Sequence, residues 1–251
     1  MFMQNPRKVF LSPHLDDAVY SCGGLIHELV TKGFSVEVWT IFTADPPEGN
    51  LSTFAQSLHA RWKEKSNPSW IRREEDKHAL DLLGAACRHL SYPDCIYRRN
   101  AQTNEPIITK DEDLFSKDYV IENNLILNLY KELQLRLPLN ADIVCPLSMG
   151  GHVDHRVTRM AAEQLKRSLW FYADYPYAAK DPSSVNDFLP DHAEAEVQEF
   201  SPAGIDAWLK AIACYPSQTS SFWNSLDEMD QSVRVYASLP IGRTLWFHKI
   251  N

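Results

Sequence analysis

His14, Asp16 and Asp17 set one imidazole and two carboxylates within four residues, directly behind the apolar run Val9-Phe10-Leu11. Carboxylates are rarely buried unless they are paired or hold a metal, and imidazole is the commonest protein ligand for such an ion. A second group, His152, Asp154 and His155, follows another apolar run, Ile143-Val144-Cys145. His14, Asp17 and one histidine of the second group would make a two-histidine, one-carboxylate site, which leaves zinc a further position for water and supports attack on a carbonyl. Asp16 then stands beside the metal without being needed as a ligand, free to act as general base toward water. The remaining histidine, with Asp154 as a hydrogen-bond partner, could stabilise an oxyanion or protonate a leaving amine. Spacing alone does not say whether His152 or His155 takes the metal.

The elements that must position these groups read as an α/β chain. Lys8 to Ser12 is a buried strand stopped by Pro13, and the apolar positions Val19, Cys22, Ile26 and Leu29 give a helix ending near Gly33. Val36 to Phe42 is the next strand, so the chain opens with the strand, helix, strand unit of a doubly wound, mostly parallel sheet. A helix is predicted from an N-cap at Ser69 to Leu83, a short strand over Arg88 to Tyr92, and a long amphipathic helix from Ile121 to Leu137, ended by Pro138. The strand Ala141 to Leu147, a helix through Val157 and Ala161, a strand from Leu169 to Ala173, a helix from Ile205 to Ala213 and a last strand over Thr244 to His248 complete the reading. Both His/Asp groups thus fall at the carboxyl ends of strands, where ligands bind in open α/β sheets. Either group alone could be a helix cap or a satisfied core histidine; their matching positions favour a site.

The 251 residues suit one domain, 1–251. Residues 45–68 carry three prolines with Phe54 and Trp62 and read as a partly helical lid or substrate loop. A net charge of −8 offers no field for nucleic acid. Five scattered cysteines, none in a Cys-x-x-Cys pair, argue against a disulfide framework and for a reducing, cytoplasmic setting. No stretch is apolar enough for membrane insertion. Gly23-Gly24 is not a dinucleotide fingerprint, so no nicotinamide cofactor is expected.

Pro13-His14-Leu15-Asp16-Asp17 together with His152-Val153-Asp154-His155 resembles the paired motif of the PIG-L/LmbE-like zinc-dependent de-N-acetylases. Arg72-Arg73-Glu74-Glu75 with Leu83-Gly84 is similar to that family's Arg-x-x-Glu helix, Tyr92-Pro93-Asp94 to its Asp-bearing loop, and Asp174-Tyr175-Pro176-Tyr177 to a feature of its LmbE-like branch. The resemblance implies a Rossmann-like fold with helices on both faces of the sheet. It assigns the metal to His14, Asp17 and His155, makes Asp16 the general base, and makes His152 the oxyanion stabiliser or acid oriented by Asp154. It places Arg72 and Asp94 against the substrate, an N-acyl sugar or glycoconjugate. Zn2+ is the expected ion, with Fe2+, Co2+ or Ni2+ compatible with the same donors. Leu15 and Ala18 stand where the family motif carries Pro and Glu. The implied activity is removal of an N-acetyl or N-acyl group from a glucosamine-like sugar; self-association is left open. The rival readings are a catalytically silent carbohydrate-binding or scaffold protein and an amide hydrolase acting on a non-sugar conjugate.

Overall fold

The computed structural model describes residues 6–62, 68–118 and 123–250. Its strands are β1 (Arg7–Ser12), β2 (Ser35–Thr40), β3 (Ala86–His89), β4 (Ala141–Pro146), β5 (Leu169–Tyr172), β6 (Glu194–Val197) and β7 (Thr244–His248). The helices are α1 (Asp17–Thr31), α2 (Thr53–Arg61), α3 (Pro68–Leu83), α4 (Asn123–Arg136), α5 (Val153–Glu163), α6 (Tyr177–Lys180), α7 (Pro202–Ile212), α8 (Pro216–Thr219) and α9 (Leu226–Ser238).

The strands form one seven-stranded sheet in the order β3-β2-β1-β4-β5-β7-β6. β1 to β5 run parallel to one another, while β7 is antiparallel to both β5 and β6. The chain moves outward from β1 through β2 to β3, then returns to place β4 on the other side of β1. That reversal between β1 and β4 is a topological switch point, and it leaves a crevice beyond the carboxyl ends of those two strands. Because parallel crossovers are right-handed, the two directions of travel put α1 and α3 on one face and α4 and α5 on the other. α7 packs across α1 and α3. The sheet is therefore the doubly wound, mostly parallel α/β sheet read from the sequence.

Element bounds differ from the sequence reading for local reasons. α3 begins at Pro68, so Ser69 lies within its first turn rather than at the cap; proline suits a first helical position, where its missing N–H costs nothing. β3 stops at His89, and beyond it the pairing shrinks to a single bridge between Phe42 and Ser91. α4 is described from Asn123, and the expected start at Ile121 lies outside the described residues. In the 45–68 segment, Ser52 caps α2 by accepting from the Ala55 N–H at 3.1 Å, and residues 63–67 are outside the described set. α9 went unread in the sequence, although Ser225 accepts from the Glu228 N–H as an N-cap and Met229, Val233 and Tyr236 bury one face.

The strands β1 and β4 pass through an apolar core in which Val9, Phe10, Leu11, Ile143, Val144 and Cys145 are wholly buried. One close contact fixes α1 on α7. The Trp208 indole donates to the Val19 carbonyl at 2.6 Å, and a Cβ at Gly23 would lie 2.3 Å from its Cδ1 atom. Only a hydrogen at position 23 lets the ring reach that carbonyl. Gly23→Val is expected to destabilise the fold by about 1–3 kcal/mol through overpacking against a rigid buried ring. The check is a lower urea midpoint at unchanged denaturant slope.

Candidate active site

Ser12 ends β1 and organises the turn that follows. Its Oγ donates to the His14 carbonyl at 2.7 Å and accepts from the Ala18 N–H at 3.1 Å. Asp16 occupies the N-cap of α1 yet makes no side-chain cap bond, because Ser12 already serves that end of the helix. Asp16 adopts φ 151°, ψ −34°, a conformation costly for a residue with a Cβ and of the kind concentrated at functional sites. Its carboxylate is thereby left free. Asp17, the first residue of α1, accepts from the His14 N–H at 2.8 Å, and the helix N-terminus favours its negative charge. Leu15 is buried at 2% exposure, and Ala18 keeps its place through its N–H. Neither departure from the family motif disturbs these donors.

The second cluster enters from β4. Ser148 and Gly150 turn the chain with positive φ, and a Cβ at Gly150 would lie 2.4 Å from the Tyr177 ring. His152 then caps α5, its Nδ1 accepting from the Asp154 N–H at 3.2 Å. His155, one turn in, is buried.

Across the switch point the two clusters meet. Asp17 Oδ2 lies 3.1 Å from His14 Nδ1 and 3.2 Å from His155 Nε2. The other nitrogen of each ring is held by a buried carboxylate: His14 Nε2 lies 3.0 Å from Asp154 Oδ2, and His155 Nδ1 lies 2.6 Å from Asp174 Oδ1. Ring nitrogens of His14, His152 and His155 all lie within 4.8 Å of one another. Two imidazoles facing one carboxylate oxygen, each backed by a second carboxylate, is the arrangement that orients histidines toward a divalent ion. The donor set suits such an ion.

Asp154 does not turn its carboxylate to His152 as the sequence reading expected. It is wholly buried, accepts from the Cys95 N–H at 3.0 Å and the Arg98 guanidinium at 2.6 Å, and meets His14. His152 instead takes the Asp154 backbone N–H at 3.2 Å. Arg72 is 8% exposed, with Nη2 3.8 Å from Asp16 Oδ2 and its guanidinium 4.8 Å from the Trp62 ring centroid. Asp94 caps the turn Cys95–Tyr97 through the Ile96 N–H at 3.2 Å, and its other oxygen lies 3.9 Å from His14 Nε2. All eight residues singled out from the sequence therefore meet at one place.

The electrostatics follow from burial and neighbours. Burial raises the Asp16 carboxyl, Asp17 raises it further and Arg72 opposes them, leaving it at about 8. Burial pushes His152 well below its ordinary value, and the neighbouring His14 and His155 push the same way. Burial would lower His14 and His155 too, but the carboxylates around them win: Asp154 and Asp17 hold the His14 proton, and Asp17 with Asp174 raises His155 to about 10. His152 is thus the neutral ring of the three, and since Nδ1 accepts a hydrogen bond its proton sits on Nε2.

The cleft over these groups encloses about 240 Å3 and includes Trp62, Phe115 and Tyr177 in its wall. Residues 9–166 match the profile of the PIG-L family, described as GlcNAc-PI de-N-acetylase. The chain belongs to this family. Both clusters lie inside the matched span. Among curated proteins, a 2'-N-acetylparomamine deacetylase of Niallia circulans is 28% identical over 200 residues, covering 73% of this chain and 70% of that protein. Among solved structures, a teicoplanin deacetylase in a zinc-inhibited form superposes with a TM-score of 0.80 at 26% identity, covering 96% of this chain and 97% of that one. The N,N'-diacetylchitobiose deacetylase of Pyrococcus horikoshii shares the fold, with a TM-score of 0.54 at 18% identity over 96% of this chain and 82% of that one. The chain is a PIG-L hydrolase acting on carbon–nitrogen bonds.

Asp174 entered the sequence reading only within the segment Asp174-Tyr175-Pro176-Tyr177, similar to a feature of the LmbE-like branch, with no role of its own. A sharper signal was available, since it lies two residues beyond the buried end of β5 and so shares the sheet edge with both clusters. Arg98 offered none, because its partner Asp154 is 56 residues away in sequence.

Proposed function

We propose that this chain removes an N-acetyl or related N-acyl group from the amino group of a glucosamine-like sugar, with His14, Asp17 and His155 holding a zinc ion. The placement of Asp17 Oδ2 between two carboxylate-backed imidazoles, with the free Asp16 carboxyl beside them, carries the reading. A divalent ion bound there supplies Lewis acidity toward a carbonyl and acidifies water. Asp16 takes the proton of the attacking water. His152, neutral and protonated at Nε2, donates a hydrogen bond to the carbonyl oxygen as negative charge develops on it. A neutral imidazole is a poor acid, so the protonated Asp16 carboxyl returns its proton to the departing amine.

Arg72, held over Trp62, offers a fixed guanidinium to the sugar hydroxyls or an anionic substituent. A broader groove of about 880 Å3 continues past Phe115 and Tyr177 along Met149, Met160 and Phe188, wide enough for the rest of a glycoconjugate. The deacetylase relatives that act on an aminoglycoside precursor and on teicoplanin support this substrate class. The chain acts as one domain, with α2 and Trp62 forming the wall of a substrate loop over 45–68. No helix among the described residues is long and apolar enough to cross a membrane.

The test is release of acetate from N-acetylglucosamine and simple N-acetylglucosaminides, against acylated amino-acid conjugates, with metal content measured alongside. Acetate from the sugars alone is expected. Cleavage of the conjugates alone moves the substrate class away from sugars, and a protein that binds metal and cleaves nothing fits a binding role.

Metal uptake should also be linked to pH. Since the metal-free chain holds protons on His14 and His155 above their ordinary range, an ion must displace them, and affinity rises with pH by about tenfold per unit for each proton released. Calorimetry in buffers of different ionisation enthalpy counts those protons between pH 6 and about pH 8.

A further inference from the structure

A second cluster of metal-ligand side chains sits at the far edge of the sheet. Cys87 and His89 alternate on β3, so both side chains leave the same face of the strand. They point at Asp76, which projects from α3 and is 1% exposed. His89 Nε2 lies 2.8 Å from Asp76 Oδ2 and 3.1 Å from Cys87 Sγ, and Sγ lies 3.8 Å from the same carboxylate oxygen.

Thiol and carboxylate converge on one and the same ring nitrogen. In a nucleophile–histidine–carboxylate relay the carboxylate holds one nitrogen and the thiol the other. That relay is excluded here, and three donors surround a single point instead. Tetrahedral zinc, with bonds of about 2.0 Å to nitrogen and oxygen and about 2.3 Å to sulfur, places such donors roughly 3.3–3.6 Å apart. The observed separations need shifts of less than about 1 Å to meet that geometry. The carboxylate is already fixed for the purpose: Tyr215 donates to Asp76 Oδ1 at 2.7 Å, and Thr40 donates to Oδ2 at 3.2 Å. Cys87 and His89 are only partly buried, which gives an ion a way in and leaves one position for water.

We propose that Asp76, Cys87 and His89 form a second metal site, for zinc or another thiophilic divalent cation, distinct from the donor set of the catalytic cleft. Binding replaces the thiol proton of Cys87, which leaves to solvent, while His89 ligates as a neutral ring through Nε2 with its one proton on Nδ1; no electrons are transferred. Burial raises the Cys87 thiol to about 12, so the cysteine is a closed thiol until an ion arrives. Asp76 lies one helical turn beyond Arg72 on α3. An ion here therefore ties the helix that carries Arg72 to the edge strand of the sheet. The inference stands independently of the reaction proposed above.

Cobalt distinguishes the two sites, because a thiolate on Co2+ gives a near-ultraviolet charge-transfer band and the His14, Asp17 and His155 set contains no sulfur. Chelator-treated protein titrated with Co2+ is expected to show the band in wild type and in His155→Ala, and to lose it in Cys87→Ser. In wild-type protein, zinc is expected to slow alkylation of Cys87 by iodoacetamide by about tenfold or more, followed by peptide mass mapping. Persistence of the band in Cys87→Ser overturns the proposal and moves the contact to Cys95, which lies near His152 and Asp154. Absence of the band in wild type, with alkylation indifferent to zinc, also overturns it. If Cys87→Ser fails to fold, the wild-type alkylation rates decide.

Discussion

Replacing Asp16 by Asn is expected to lower turnover on an N-acetylglucosaminide by about 10²- to 10⁴-fold, the range for loss of a positioned general base. Metal content should stay at the wild-type level. The substitution keeps the size of the side chain and removes only its capacity to take and return a proton. The helix end does not depend on the Asp16 carboxylate, since Ser12 serves the N-terminus of α1 and Asp16 makes no cap bond of its own; its ionic partner is Arg72, 3.8 Å away. A second signature separates this role from a merely structural one. In the metal-free protein the folded chain keeps the Asp16 proton up to about pH 8, against an ordinary carboxyl value of 3.8. The folded state thus binds more protons than the unfolded state between those values, and stability contributed by this group falls as pH rises through that window. Asn cannot titrate. Metal-free Asp16→Asn should therefore gain stability relative to wild type at pH 8, and show less gain or none near pH 4, as read from urea midpoints. Unchanged turnover would remove Asp16 from the reaction. A large loss of metal would instead make it part of the ligand set.

The residues proposed to make the chemistry could be singled out in the sequence because chemistry demands particular side chains where ordinary packing does not. His14, Asp16 and Asp17 after β1, and His152 and His155 after β4, stand out in sequence since each group follows a buried strand. The sheet order β2-β1-β4 then brings both groups to one crevice. What supports those residues was harder to read. Asp174, Arg98 and Ser12 are common residue types at distances the chain alone does not encode, and only the parallel register of β1, β4 and β5 sets their carboxyl ends side by side. The exchange of partners at Asp154 has the same origin. A carboxylate two residues from His152 looks like its companion along the chain, but the helical turn of α5 and the Arg98 guanidinium aim it at His14. α9 went unread although Leu226, Met229, Val233 and Tyr236 follow a helical period behind Ser225, so its signal was present in the sequence.

His155→Ala should cost the protein one equivalent of bound metal per chain and reduce acetate release to background. His155 contributes one of the two imidazoles that face Asp17, and its other nitrogen is tied to Asp174 at 2.6 Å. His152 is the nearest alternative, and its Nδ1 is engaged as the cap of α5. Removing the ring also leaves Asp17 and Asp174 short of a partner, and breaking a buried ionic contact in this way costs about 3–5 kcal/mol. Loss of metal could then follow from loss of fold, which is why Asp174→Asn belongs beside it. That variant keeps the ring and the packing and alters only the group behind the imidazole. Its expected effect is about 10- to 100-fold weaker metal binding with the fold intact, the usual range when the carboxylate behind a ligating histidine is removed. Added metal should restore its activity. A graded pair of this kind, total loss at His155 and rescuable loss at Asp174, is what a ligand and its orienting group produce. If both variants keep their metal and their turnover, the ion is held elsewhere and the donor set around Asp17 is a buried ionic network only.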